Sequence, residues 1–233
     1  MSNSTLLRQT RAHTVINGTS KWQEKEIIKA LKIAEDKINK KFPFLQLDFQ
    51  KKLKLKDIVE KLRHNFPDVD FCYKFETSFI TPDGGFLSII GKDGNRYPII
   101  ISEVKNQGTN DKRAKEGLKK QAKGNAIERL GKNVIGLRCH MLSESIFPFV
   151  CFGYGCDFAD DSSILDRVIT VGMFGKLNEI YLHNQGVFNR GSFFFRCDHW
   201  SVDEMAKTLY DIGEKSIYYY FSKYGQSMFD INQ

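Results

Sequence analysis

The sequence predicts an α/β protein whose central mixed β-sheet is flanked by helices. Three observations carry this. Apolar residues recur at helical spacing near both ends of the chain. The period changes to strand-like alternation after residue 70. Between two β-rich runs stands GKDGNR, whose Asp93-Gly94 pair signals a hairpin turn. Helices on both faces of such a sheet are the simplest way to bury it.

The elements follow in order. The first twenty residues are polar and predict a loose N-terminal arm. Ile27, Ile28, Leu31, Ala34 and Ile38 predict an amphipathic helix over 22–40, stopped before Pro43. Leu53, Leu55, Ile58, Val59 and Leu62 predict a second helix over 52–65, ending before Pro67. Its six basic residues between 51 and 63 suit a solvated face. Aromatic and β-branched residues predict a strand over 71–80, then hairpin strands over 86–90 and 97–105. A helix is expected from Asn125 through Ser143, and a buried strand from Phe147 to Phe152. A helix near 162–172, strands near 177–183 and 191–197, and a last helix from Val202 to Lys223 complete the chain. No repeat or linker divides it, so residues 1–233 read as one domain.

Composition narrows the function. The chain has 233 residues, 41% of them hydrophobic, enough for an ordinary core and too many for a disordered chain. Gly 18 and Pro 5 exclude a collagen-like chain. Lys+Arg 35 against Asp+Glu 28 leave a net charge of +7, which favours an anionic partner without choosing its kind. No apolar run reaches the ~18 residues that span a bilayer, because Pro148, Gly153, Gly155 and Asp157 break the best candidate. The N-terminus carries no signal-peptide core. The five cysteines, Cys72, Cys139, Cys151, Cys156 and Cys197, form no CxxC pair and suggest a reduced, cytoplasmic protein. Cys197 with His199, and Cys151 with Cys156, are poor zinc spacings, and Cys151 and Cys197 read better as core residues.

The sharpest local feature is Pro82-Asp83-Gly84-Gly85, followed twenty residues after the aspartate by Glu103-Val104-Lys105. Strand side chains alternate, so Glu103 and Lys105 share a face, with Ile99 and Ile101 before them on the same parity. A hairpin can return Asp83 to that strand end. Two carboxylates and an ammonium would then converge. This trio suits Mg²⁺-dependent phosphodiester hydrolysis. Asp83, Glu103 and the Val104 backbone carbonyl can ligate the hard cation, and Lys105 can orient water and offset phosphorane charge. A turn with a surface ion pair is the bland alternative.

A basic stretch follows, with Lys112, Arg113, Lys115, Lys119, Lys120 and Lys123 against Asp111 and Glu116. Such charge can neutralise DNA phosphates. It leads into Gly124-Asn125-Ala126-Ile127-Glu128-Arg129. Asn125 can pair bidentately with adenine, Arg129 can donate to a purine, and Glu128 can accept from a base amino group. Asn125 and Glu128 also fit a capping box, and spacing alone favours the cap.

Together these segments resemble the EcoRI family of type II restriction endonucleases. PDGG at 82–85, SEVKNQG at 102–108, GNAIER at 124–129 and MLSESIFPFV at 141–150 carry the resemblance, with ILDR at 164–167 more weakly. The resemblance implies a restriction-endonuclease-like fold and a homodimer that cuts palindromic double-stranded DNA with Mg²⁺, leaving 5′-phosphate ends. It implies catalytic roles for Asp83, Glu103 and Lys105. Recognition would fall to Gly124, Asn125, Ala126, Glu128 and Arg129, with Arg167 adding base contacts. The implied site has a central AATT, as GAATTC, with CAATTG as the competing outer pair. A cognate DNA methyltransferase is expected as a functional partner. A structure-selective repair nuclease would explain the catalytic trio but not GNAIER. A non-cleaving DNA-binding protein would not need the trio.

Overall fold

A computed structural model of the chain describes residues 15–106, 113–119, 124–155 and 191–231. The described elements run α1 (Val15–Lys41), β1 (Leu47–Gln50), β2 (Leu53–Lys54), α2 (Leu55–Asn65), β3 (Phe79–Ile80), β4 (Gly85–Ile90), β5 (Arg96–Asn106), α3 (Gly124–His140), β6 (Phe149–Tyr154), β7 (Ser192–Arg196) and α4 (Val202–Tyr224). Five strands form one mixed sheet in the order β1-β4-β5-β6-β7. β1, β4 and β5 pair antiparallel, whereas β5, β6 and β7 pair parallel.

One face of the sheet is covered by α1 and α4. Ile27, Leu31 and Ile38 of α1 meet Leu209, Ile212 and Ile217 of α4 over Leu87, Ile100 and Phe152 of the sheet. The start of α4 is fixed by a capping box, in which Ser201 and Glu204 bond each other's backbone amides. The other face carries Phe86, Ile101, Phe149, Cys151 and Phe193 beneath Leu130, Val134 and Leu137 of α3. The catalytic candidates stand on this second face.

The hairpin, the buried strand and the last helix lie where the sequence indicates. Other elements differ. α1 is described from Val15, earlier than the apolar period over 22–40 indicates, because the polar residues before Trp22 show no hydrophobic period to read. The arm expected over the first twenty residues otherwise lies outside the described ones. The second helix begins at Leu55, after the two-residue strand β2. The strand expected over 71–80 shrinks to Phe79–Ile80. Its aromatic composition is strand-like, but Phe75 and Phe79 are exposed and no core face holds the segment in register. β1 was not foreseen; it pairs with β4 at the sheet edge. The helix expected to reach Ser143 stops at His140.

The pairing of β4 with β5 shifts register between Leu87 and Ser88, and Ile99 is the extra residue. Ile99 therefore joins Ile100 in the core beneath α1 and α4. The expectation that Ile99 shares the face of Ile101 and Glu103 fails for this reason. Cys151 is buried as expected, but Cys197 is exposed. The helix near 162–172, the strand near 177–183, and Cys156 lie outside the described residues. Among the described residues no helix is long and apolar enough to cross a membrane.

Candidate active site

The turn between β3 and β4 places Asp83 beside β5. The Gly84 amide donates to the Ser102 carbonyl at 2.9 Å, and the Gly85 amide donates to the Pro82 carbonyl at 3.1 Å. A Cβ on Gly84 would fall 2.1 Å from Ser102 Oγ, and Gly85 has a φ of +83°. Each glycine thus answers a different steric demand. Their combined effect is to press the Asp83 peptide against the strand that carries Glu103.

Asp83, Glu103 and Lys105 meet. The Asp83 amide donates to Glu103 Oε2 at 2.9 Å. Asp83 Oδ2 accepts from Lys105 Nζ at 3.0 Å and from the Val104 amide at 3.3 Å. Lys105 also forms an ion pair with Glu103 Oε1. The side chain of Glu103 is 1% exposed, against 25% for Asp83 and 17% for Lys105. Burial pushes the Glu103 carboxyl up and the charge of Asp83 adds to this, while Lys105 opposes both. Burial works against the charged form of Lys105, but the two carboxylates outweigh it and raise the ammonium above its ordinary range. Lys105 therefore holds its proton.

The donor set fits a hard divalent cation. Mg²⁺ is commonly held by one or two carboxylates, with water and substrate phosphate completing its shell. Asp83 and Glu103 already converge on a single cationic centre, the Lys105 nitrogen. Among the described residues no group of three or more His, Cys, Asp or Glu side chains clusters, so the two carboxylates would need backbone, water or phosphate oxygens to complete the shell. His199, once paired with Cys197 as a zinc possibility, instead lies against Trp22 and Tyr154, with ring centroids 4.7 and 5.0 Å away. Cys151 stands opposite Glu103 in the β5–β6 register. Burial and the neighbouring Glu103 raise its thiol, so it is no nucleophile.

Gly124 opens α3, and Asn125, Ala126, Glu128 and Arg129 occupy its first two turns. Asn125 is helical here, and the residues just before Gly124, where a cap would be judged, lie outside the described ones. Lys119 is exposed, and its carbonyl accepts from Arg113 Nε at 2.6 Å. Lys120, Lys123 and Arg167 lie outside the described residues.

One site residue was not foreseen. Asn133 of α3 donates from Nδ2 to Glu103 Oε1 at 3.3 Å. Its sequence signal was a polar residue one turn beyond Arg129 in the same helix. A groove of about 650 Å³ also opens near Arg96, Tyr97 and His140, at the opposite end of β5. None of Asp83, Glu103 or Lys105 lines it, so its size does not locate the chemistry.

A mixed sheet that delivers two carboxylates and a lysine to the end of one strand defines a protein of the restriction-endonuclease fold. The chain belongs to the EcoRI family: the family model for restriction endonuclease EcoRI matches residues 9–227. The type II restriction enzyme RsrI of Cereibacter sphaeroides is 29% identical over 222 residues, covering 80% of this chain and 78% of that protein. The type II restriction enzyme EcoRI of Escherichia coli is 27% identical over 172 residues, covering 67% of this chain and 62% of that protein. The protein is a type II restriction endonuclease, a site-specific deoxyribonuclease.

Proposed function

We propose that the chain forms a homodimer that cuts a palindromic duplex with central AATT, as GAATTC, in a Mg²⁺-dependent reaction leaving 5′-phosphate ends. The convergence of Asp83, Glu103 and Lys105 carries this reading. Asp83 and Glu103 would hold Mg²⁺, with the Val104 carbonyl as a further oxygen donor. The bound ion would polarise the scissile phosphate and lower the pKa of a coordinated water. Lys105, kept charged by its two neighbours, orients the attacking water and stabilises charge building on phosphorus. Burial of Glu103 fixes its carboxylate direction and keeps bulk water away from it.

Recognition is assigned to the start of α3. Its N-terminus presents free amides and a favourable dipole to a polyanion. Asn125 pairs with adenine, Arg129 with a purine, and Glu128 with a base amino group, while Gly124 and Ala126 allow close approach to the bases. Lys119, Lys120 and Lys123 neutralise phosphates, and Arg167 adds base contacts. A two-fold homodimer would read the two halves of the palindrome alike. A methyltransferase of the same specificity would protect the host DNA.

Digestion of plasmid DNA with Mg²⁺, followed by sequencing of the ends, tests this reading. Uniform cuts at one AATT-centred palindrome with 5′-phosphates are expected. Cuts at branched or damaged positions, or intact DNA, would overturn it.

A further inference from the structure

Glu103 is 1% exposed, so protein donors must satisfy its carboxylate. Two of them come from the catalytic trio itself: the Asp83 amide on Oε2 and the Lys105 ammonium on Oε1. The third is Asn133 Nδ2, on Oε1 at 3.3 Å. Asn133 is thus a side-chain donor to Glu103 from outside the trio. It arrives from the helix whose first two turns carry GNAIER.

The placement of Asn133 within α3 matters. Leu130, Val134 and Leu137 are buried against the sheet and anchor the helix beyond its second turn. Gly136 approaches Ile80 so closely that a Cβ there would fall 2.5 Å from Ile80 Cδ1. Asn133 stands in this anchored part, and residues 124–129 extend N-terminally from it. Residues 124–129 and Asn133 belong to one continuous helix, so the seating of its first turns bears on the angle at which Asn133 meets Glu103. A change of a few tenths of an ångström is enough to weaken a contact already 3.3 Å long.

We infer that Asn133 is a positioning residue that couples the seating of α3 on DNA to the orientation of Glu103. The inference rests on the proposed recognition role of α3. A matching sequence keeps the helix seated so that the Asn133 amide retains its hold on Oε1 and the carboxylate faces its cation. A mismatched sequence seats it otherwise and releases that hold. Discrimination then arises at bond breaking as well as at binding. The amide suits this task because it is neutral: it can stay on Oε1 beside a bound cation without repelling it.

The test uses the full chain and the duplex site found by sequencing cut ends. Asn133→Ala, Asn133→Gln and Asn125→Ala are compared with the native protein. Equilibrium binding is measured without divalent metal, and single-turnover cleavage with Mg²⁺, on the correct site and on one with a single changed base pair. For Asn133→Ala, binding of the correct site stays within about twofold. Its cleavage falls about tenfold or more, as loss of a hydrogen bond to a charged group implies. Cleavage of the changed site falls by less, so the ratio between sites shrinks. Asn133→Gln, which keeps an amide on a longer arm, recovers part of the rate. An unchanged rate on the correct site would overturn the inference. So would an equal loss on both sites, or a loss of binding that matches the loss of rate. Should Asn125→Ala keep full discrimination, α3 does not read the site, and the recognition reading fails along with the coupling. Should Asn125→Ala lose discrimination while Asn133→Ala behaves as native, the coupling alone fails.

Discussion

The Asp83 backbone amide donates to Glu103 Oε2 at 2.9 Å, so the peptide that positions one carboxylate also orients the other. Side chain and main chain of Asp83 do separate jobs. The amide belongs to the scaffold, while Oδ2 meets Lys105 and the Val104 amide.

Asp83→Ala therefore removes a proposed metal ligand and leaves the amide that holds Glu103. Cleavage should drop by more than the ~100-fold that loss of an outer partner of a metal site can cost. DNA binding should persist. Gel-shift and cleavage assays on one preparation check both parts, and normal cleavage by this variant would refute the role of Asp83.

Asn125→Ala should weaken specific binding by about 1–3 kcal/mol and relax preference within AATT. Lys119→Ala should weaken binding to all duplexes alike and reduce the salt slope by about one. Binding isotherms on matched and random duplexes at several salt concentrations separate these outcomes. An intact AATT preference in the first variant would return Asn125 to a purely helical role.

Gly84→Ala should damage the site from its scaffold side. The new methyl would overlap Ser102 Oγ, with Ile27 Cγ1 close behind at 2.9 Å. Relief requires the turn to lift from β5, carrying Asp83 with it. Overpacking of this kind costs about 1–3 kcal/mol, and a lower thermal midpoint together with lost cleavage is expected. Thermal melts and cleavage of one sample measure the two losses, and native values for both would contradict the proposed contact.

His140 should contribute to acid sensitivity. Its Nδ1 is buried and has no hydrogen-bond partner among the described residues, and Nε2 lies 3.4 Å from Lys61 Nζ. Burial, and then the charge of Lys61, pull the imidazole down to about 3. The unfolded group titrates near ~6.5, so between these values the unfolded chain binds the extra proton. Stability consequently falls as pH drops through that window, by up to about 1.4 kcal/mol per pH unit from this group. Urea midpoints at pH 7 and pH 5 should show a smaller loss in His140→Gln than in the native chain. Equal losses would assign the slope to other groups.

The site was legible where local pattern dictates geometry. Alternation placed Glu103 and Lys105 together on β5, and the glycine turn returned Asp83 to them. What escaped the sequence was set by partners distant along the chain. The segment 71–78 has strand-like residues but finds no ladder. Cys197 sits beside aromatic residues in sequence yet is exposed. Asn133 reaches Glu103 across thirty residues, a contact no local period announces.

The bulge at Ile99 also separates two kinds of length variation. Downstream of it, the phase of β5 is locked by parallel pairing with β6, from Ile101 against Phe149 to Lys105 against Gly153. Dropping one residue upstream could regularise the ladder and leave the carboxylate facing as it does. Dropping one between Ile101 and Glu103 would turn the acidic group into the opposite, oily layer. A single slack residue thus insulates the chemistry from a change of length in the hairpin, while the short stretch beyond it tolerates no change in count.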